Sequence, residues 1–324
     1  MKLDKSKIKL YSNVGSRASF GLACLELVKE YENLMVLTSD VSTSAGLDRF
    51  KLKHTEKYLD VGIAEQNLIG IATGLSSCGY NVFTTTFAPF QTMRCLEQIK
   101  VNMGYMKKKV TMVGLASGVV LGTLGFTHCC IEDISLMRTI PGMTVLSPAD
   151  CGEVVKSTFA AAKHDGPVYI RLTGSSNNPI VYNDDYEFEI GKSIKIIEGA
   201  DISIFATGSM VYNSLKAAEI LKKNNLEASV INIHTIKPID KKTINKYSEK
   251  RRLIVTVEEH SIIGGLSSAV SESNAALQNA TKQLSISLPD KYFGGGEYSD
   301  LLKKHNLDPE GIAKLIIKNL NAKN

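Results

Sequence analysis

The sequence predicts an α/β protein of two domains, each a mainly parallel sheet flanked by helices. Its 324 residues are enough for two domains. Short apolar runs such as Leu34–Thr38 and Val110–Leu115 alternate with longer stretches of helical spacing, which is typical of parallel strands covered on both faces. A polar, turn-rich segment at Asn177–Glu189 interrupts this alternation. We therefore predict one domain over residues 1–185 and a second over 186–324.

The individual elements follow from the period of the apolar residues. A helix is predicted over Ser19–Tyr31, because Leu22, Leu25 and Val28 fall on one face. The other elements predicted in the first domain are strands at Val82–Thr86, Thr144–Ser147 and Val168–Leu172, and helices at Leu68–Leu75, Met93–Asn102 and Cys151–Ala162. The strands predicted in the second domain are Ile202–Ala206, Ala228–Ile233 and Leu253–Glu258. The helices predicted there are Tyr212–Lys223, Lys241–Ser248, one that begins after Gly264-Gly265, and Asp308–Leu320. Asp308 is the predicted N-cap of the last helix.

Composition and charge argue against several classes of protein. The net charge is +5, but the lysines are dispersed and the basic runs lead into apolar strands, so we expect no nucleic-acid partner. No apolar run is long enough to cross a bilayer and no signal-peptide pattern is present, so we expect a cytoplasmic protein without a membrane partner. The six cysteines show no CxxC spacing, which predicts free thiols and no metal ligands in this chain.

The segment DVGIAEQNLIGIA, from Asp60 to Ala72, carries the most informative acid. If a loop leads into a helix here, Glu65 shares one face with Leu68, Ile69 and Ala72. A carboxylate on an apolar face is costly to bury unless it is paired or protonated, and such an acid is a candidate for proton chemistry. The alternative is a solvated acid in the first helical turn, where the helix dipole favours it. The residues alone leave both interpretations open.

Two phenylalanines follow a threonine-rich strand. Phe87 and Phe90 lie where the strand gives way to a loop, and open α/β sheets bind ligands beyond the carboxyl ends of their strands. The two rings could hold a flat heterocycle between them, or they could simply cap the core. Both interpretations stay open at this point.

The order of several motifs resembles the transketolase family. GIAEQ at 62–66 is followed by TTTFAPF at 84–90, Thr127-His128, SPAD at 147–150 and EEH at 258–260. This series covers nearly the whole chain. It is similar to the pyrimidine-binding and C-terminal domains of transketolases, and also to 1-deoxy-xylulose-5-phosphate synthases and the β subunits of 2-oxoacid dehydrogenases. The chain resembles most the C-terminal section of a split, two-subunit transketolase.

The resemblance implies thiamine diphosphate as cofactor and a role for each matching residue. Glu65 would hydrogen-bond the ring nitrogen of the aminopyrimidine, and Phe87 and Phe90 would pack on that ring. His128 would contact an oxygen of the sugar substrate during transfer of a two-carbon ketol unit. The resemblance also implies roles for two residues in the loop after the first strand. Asp40 would be an acid on the cofactor side of the site, and Ser44 would present a hydroxyl on the substrate side.

One motif of the family is absent from this sequence. Transketolases bind the diphosphate and its divalent metal through a Gly-Asp-Gly motif and a later asparagine, and no Gly-Asp-Gly occurs here. We therefore expect an N-terminal transketolase subunit to supply that motif and the ligands of Mg²⁺ or Ca²⁺. Two copies of each chain would form an α2β2 heterotetramer that is active only when complete. The resemblance implies that the second domain mainly supports the dimer, and the sequence shows no obvious acid–base cluster there.

The substrate-binding positions depart from the family pattern. Two arginines that grip the sugar phosphate align with Ser16 and Gly174. Arg17 and Arg171 lie close by in the sequence and could take over that role. A family aspartate before the Thr-His pair is replaced by Leu124. These changes predict an atypical sugar, which could be modified, non-phosphorylated or linked to a nucleotide.

Three other functions are compatible with the motifs. The EEH–GG segment and the split architecture allow a 2-oxoacid dehydrogenase β subunit, and the closing segment at 297–308 is also close to the deoxyxylulose synthases. A non-catalytic binding or scaffold subunit would leave Glu65 as a surface acid. Ketol-transfer assays and a Glu65→Gln variant would separate these alternatives.

Overall fold

The first half of the chain forms a sheet flanked by helices on both faces in the computed structural model, which describes residues 1–174 and 177–322. Its elements are α1 (Lys5–Leu27), β1 (Leu34–Thr38), α2 (Asp48–Lys53), a 3-10 turn (Thr55–Lys57), β2 (Tyr58–Asp60), α3 (Glu65–Ser77), β3 (Asn81–Phe87), α4 (Ala88–Thr92), α5 (Leu96–Gln98), a π-helical segment (Ile99–Tyr105), β4 (Val110–Leu115), a 3-10 turn (Gly122–Thr127), α6 (Asp133–Thr139), β5 (Thr144–Leu146), α7 (Cys151–Lys163) and β6 (Val168–Arg171). The predicted α/β class is confirmed.

The second half repeats the alternation of strands and helices. Its elements are β7 (Ile194–Ile197), β8 (Ile202–Ala206), α8 (Met210–Lys223), β9 (Ala228–Asn232), β10 (Thr235–Lys237), α9 (Lys241–Ser248), β11 (Leu253–Ser261), α10 (Leu266–Asn274), β12 (Gln283–Leu288), α11 (Tyr298–Lys304) and α12 (Pro309–Asn321). Asp308 lies at the N-cap of α12 as predicted, but its side chain makes no capping hydrogen bond.

The strand order places the carboxyl ends of the central strands at one edge. The first sheet has the order β10-β5-β6-β4-β3-β1-β2, and its pairs are parallel except β10 with β5. The second sheet has the order β12-β11-β8-β9-β7, with only β7 antiparallel to its neighbour. The strand β10 belongs to the second half of the chain but is an outer strand of the first sheet. The two halves are therefore linked through the pairing of β10 with β5. A division between residues 185 and 186 stays a prediction.

Several helices differ from their predicted bounds by a few residues at an end, and two differ more substantially. α1 begins at Lys5 rather than Ser19 and is kinked at Gly15, whose φ of 85° breaks the helical backbone. The single helix predicted over Met93–Asn102 is instead α5 followed by the π-helical segment. The Arg94 carbonyl, just before α5, accepts a hydrogen bond from the Gln66 side-chain amide at 3.1 Å.

Candidate active site

Glu65 is the first residue of α3 and is buried. Leu68, Ile69 and Ala72 lie on the same face and are fully buried, as the helical spacing predicts. Only 4% of Glu65 is exposed, and its Oε2 accepts a hydrogen bond from Arg94 Nη1 at 2.7 Å. The solvated alternative is therefore wrong. The buried carboxylate is paired, which offsets much of the cost of its desolvation.

Arg94 is a site residue that sequence reasoning missed. Its guanidinium lies over the Phe90 ring at 4.3 Å from the centroid and pairs with Glu65 at the same time. The side-chain amide of Gln66 donates a hydrogen bond to the backbone carbonyl of Arg94. Arg94 is the only arginine between β3 and β4, which is a weak signal, because nothing in the sequence shows that α3 passes beside it.

An aromatic cluster lies at the carboxyl end of β3. The ring centroids of Phe87 and Phe90 are 6.3 Å apart, and His128 stands edge-on to Phe87 at 6.3 Å and to Phe90 at 5.4 Å. All three side chains are half-buried. The His128 ring also contacts Thr127 Oγ1 through Nδ1 at 3.0 Å. The structure thus brings together three residues that the sequence predicted separately.

A carboxylate fixes the loops that carry Asp40 and Glu65. Asp60 accepts hydrogen bonds from the backbone N–H groups of Asp40 at 2.9 Å and Gly62 at 3.0 Å. Burial alone would raise the pKa of Asp60, but these hydrogen bonds lower it below its ordinary value. Ser39 adds a second link, because it donates to the Gly62 carbonyl and accepts from the Ala64 N–H. The loops after β1 and β2 therefore form one unit.

Asp40 and Ser44 lie on the first of these loops. Asp40 is exposed and has a positive φ of 56°, a conformation that aspartate tolerates better than most residues. Ser44 is partly exposed. The same loop packs on α1 through Gly46, which lies against the Arg17 and Ala18 backbone. The predicted substrate-side residues Ser44 and Arg17 are thus on adjacent segments, and Arg17 is partly exposed.

The loop that carries His128 is closed at its base and held by the second half of the chain. Gly118 and Cys130 exchange two backbone hydrogen bonds of 2.7 and 2.9 Å. The Glu259 carboxylate accepts from the next N–H, that of Val119, at 2.7 Å. Gly118 needs its positive φ of 72° there, and a Cβ on it would collide with Glu259.

The second half contains a buried hydrogen-bonded cluster around Glu259, which the sequence did not make obvious. Glu259 is 1% exposed and also accepts from Ser209 Oγ at 2.8 Å and Tyr298 OH at 2.7 Å. Burial raises the pKa of Glu259, and the positive charge of Arg171 opposes that rise. The sequence hid this cluster because its members come from four separate segments.

Arg171 does not take the sugar-phosphate role that its position suggested. The side chain is 1% exposed, and Nε donates to the two Asp133 carboxylate oxygens at 3.1 and 2.8 Å. Nη2 donates to the Glu259 carbonyl at 2.8 Å. Burial alone would lower the pKa of Arg171, but Asp133 and Glu259 raise it above its ordinary value. Arg171 is a structural ion-pair partner inside the core.

A cavity of about 120 Å³ lies between the two halves at the same sheet edge. Ser16 and Gly174, the positions where the resemblance predicts arginines, both line it. Its polar groups also include the side chains of Thr173, Asn213 and Tyr298. No described residue that lines it is Lys, Arg or His. Asp150 is the one acid among the described lining residues, so the cavity offers neutral polar groups and a carboxyl but no cation.

Two further findings concern the described part of the chain as a whole. Within residues 1–174 and 177–322, no group of three or more His, Cys, Asp or Glu side chains is placed to hold a metal ion. Over the same ranges, no helix combines the length and apolarity that a bilayer crossing requires. All six cysteines are free thiols, and five of them are buried.

The fold and the site define a class of protein: a pair of α/β domains with a buried, arginine-paired acid next to an aromatic cluster at the carboxyl ends of the strands. The comparisons agree with this class. Residues 12–178 match the family described as "Transketolase, pyrimidine binding domain", and residues 191–312 match "Transketolase, C-terminal domain". The chain belongs to the transketolase family, and the predicted resemblance is confirmed.

Relatives of similar length are transketolase sections or subunits. A Methanocaldococcus jannaschii protein described as a transketolase C-terminal section is 39% identical over 94% of this chain and 96% of its own length. A Phocaeicola vulgatus protein described as a subunit of apulose-4-phosphate transketolase is 35% identical, over 94% and 97%. A solved split gene transketolase, described as an inactive beta4 tetramer, superimposes with a TM-score of 0.88 at 35% identity, over 96% and 100%. This chain is a subunit of the split transketolase type.

Proposed function

We propose that this chain is the C-terminal subunit of a thiamine-diphosphate-dependent transketolase that transfers a two-carbon ketol unit between sugars. The observation that carries the proposal is the buried Glu65 carboxylate, which Arg94 links to the aromatic cluster of Phe87, Phe90 and His128. Its Oε1 has no hydrogen-bond partner among the described residues, while Oε2 is paired. A carboxylate oxygen beside aromatic walls fits a flat heterocycle with a basic ring nitrogen.

Each residue of the site has a distinct task in this proposal. Bound thiamine diphosphate would supply the electron sink for breaking a carbon–carbon bond of the donor sugar. Glu65 would hold a proton at the pyrimidine ring nitrogen, and Phe87 and Phe90 would bind the ring face and exclude water. His128 would orient a substrate oxygen, and Asp40 would face the cofactor from the loop after β1.

We propose that a separate N-terminal subunit holds the diphosphate and its Mg²⁺ or Ca²⁺, and that two copies of each chain assemble. The absence of a Gly-Asp-Gly motif and the match to whole subunits of split relatives support this arrangement. The free thiols are compatible with a reducing cytoplasm. If this chain alone bound thiamine diphosphate tightly and turned over, the two-subunit proposal would fail.

Replacing Glu65 tests the catalytic proposal. In the complex with the N-terminal subunit, Glu65→Gln should lower the turnover number by roughly 100-fold or more, since general acid–base groups contribute on that scale. Glu97→Gln, a change of an exposed acid on α5, is the matched control and should leave turnover unchanged. Full activity of the Glu65→Gln complex would support a non-catalytic subunit instead.

We propose that the substrate is atypical at the end that reaches the interdomain cavity. The cavity lies at the ends of β5 and β6, and Phe87 ends β3, two strand positions from β6, or roughly 10 Å. A sugar phosphate would meet no cation among the described lining residues, and it would face Asp150. Burial and, to a smaller extent, the negative charge of the nearby Glu153 raise the pKa of Asp150 to about 6. A hydroxyl or amide group suits this environment better than a phosphate dianion.

Kinetic comparison of sugars tests the substrate proposal separately from the reaction type. The complex should use a non-phosphorylated or modified ketose better than xylulose 5-phosphate with ribose 5-phosphate. If that phosphorylated pair proved best, the proposal on substrate would be wrong while ketol transfer would stand. Decarboxylation of a 2-oxoacid with a lipoyl acceptor, in place of ketol transfer, would favour the 2-oxoacid dehydrogenase alternative.

A further inference from the structure

Arg94 makes three contacts, and two of them are with residues proposed to bind the pyrimidine ring. Its Nη1 donates to Glu65 Oε2 at 2.7 Å, and its guanidinium stacks on Phe90 at 4.3 Å. Its backbone carbonyl accepts from Gln66 Nε2 at 3.1 Å. Arg94 therefore connects the acid on α3 to the Phe90 ring on α4 through its side chain.

The environment of this arginine differs from that of a surface ion pair. Glu65 has a side-chain exposure of 5% and Arg94 one of 43%, so the acid is buried while its partner reaches the surface beside the Phe90 ring. A planar guanidinium can pair with a carboxylate at its edge and stack on a ring through its face at the same time. A lysine could keep the charge but not the planar stack.

We propose that Arg94 is a positioning residue of the active site. It holds Glu65 in one orientation, with Oε2 engaged and Oε1 left for the ring nitrogen of the cofactor. It also keeps the Phe90 ring in place as a wall of the cleft. This inference rests on the proposed function and adds to it a residue that sets how well the cofactor is bound and used.

The test compares Arg94→Gln, Arg94→Lys and wild type in the complex with the N-terminal subunit. Calorimetry gives the dissociation constant of thiamine diphosphate, and steady-state kinetics at saturating cofactor give the turnover number. We expect Arg94→Gln to weaken cofactor binding about tenfold and to lower turnover by 10- to 100-fold, on the scale of a lost charge-assisted hydrogen bond. Arg94→Lys should recover most of the turnover but little of the affinity, because it keeps the ion pair and loses the stack.

Lys29→Gln is the matched control, because it breaks an exposed ion pair with Glu26 in the same half of the chain. It should match wild type in both measurements. If Arg94→Gln also matched wild type, or if it only lowered the melting temperature, the inference would be overturned while the proposed function stood. If the wild-type complex itself bound no thiamine diphosphate, both would be wrong.

Discussion

The buried pair of Arg171 and Asp133 gives the sharpest test of whether Arg171 is structural. We predict that Arg171→Met destabilises the chain by about 3–5 kcal/mol, the usual cost of removing one partner from a buried ion pair. The structure supports the upper part of this range, because Asp133 is fully buried and would keep only the Tyr169 hydroxyl, at 2.7 Å, as a side-chain partner. The Glu259 carbonyl would also lose its donor.

Urea unfolding followed by circular dichroism measures the loss. Lys216→Met is the matched control, because it breaks an exposed ion pair between Lys216 and Glu219. Their side chains are 42% and 60% exposed, respectively. That control should change the free energy of unfolding by less than about 0.5 kcal/mol. Tyr169→Phe, which removes one hydrogen bond from Asp133, should cost about 1 kcal/mol and gives a second reading if Arg171→Met fails to fold.

The opposite result would restore the phosphate-binding role. If Arg171→Met kept its stability within about 1 kcal/mol of wild type, and the complex lost affinity for phosphorylated sugars alone, then the guanidinium would have to reach the substrate. The placement of Arg171 in the core would then be wrong, and the conclusion that the cavity lacks a cation would fall with it.

Two further predictions concern the His128 loop and the acid stability of the chain. Gly118→Ala should lower stability by roughly 2 kcal/mol or more and reduce turnover, because its φ of 72° strains alanine and the new methyl group meets Glu259; unchanged melting and turnover would contradict this. Burial, partly offset by Asp240, lowers the pKa of His234 from 6.5 to about 4. Between pH 6.5 and pH 4 the histidine is therefore protonated in the unfolded chain but not in the folded one. The free energy of unfolding should fall as the pH falls through this range, by up to about 3 kcal/mol. Urea unfolding at pH 7 and pH 4.5 should show a smaller loss of unfolding free energy for His234→Gln than for wild type. An equal loss would show that His234 is not the source of the acid destabilisation.

The sequence predicted well those parts of the fold whose signal is local. The strands Leu34–Thr38 and Val110–Leu115 and the helix Lys241–Ser248 have their predicted bounds, because a continuous apolar run or a 3.6-residue period lies within each segment. The buried face of α3 was predictable for the same reason. β10 was missed, since its pairing with β5 depends on a partner almost ninety residues away rather than on its own three residues.

The contacts that build the site are mostly long-range, and no period reveals them. Glu65 and Arg94 are 29 residues apart, Arg171 and Asp133 are 38 apart, and Arg171 and the Glu259 carbonyl are 88 apart. Sequence reasoning placed Glu65 on the apolar face of α3 but left its burial open, and it could not tell which cation would reach it. For the same reason, Arg171 was predicted at a binding site because of its place in the chain, whereas packing put it in the core.

The second half of the chain therefore contributes to the site, beyond the supporting role that the resemblance implied. Glu259 holds the base of the His128 loop, and the Gly122 carbonyl within that loop accepts from the Gly296 N–H at 3.1 Å. Near His128, Phe126 packs edge-on against Tyr292 and Phe293, with centroids 5.0 and 4.9 Å away. Three separate contacts from one domain onto a single loop of the other restrict how far that loop can shift.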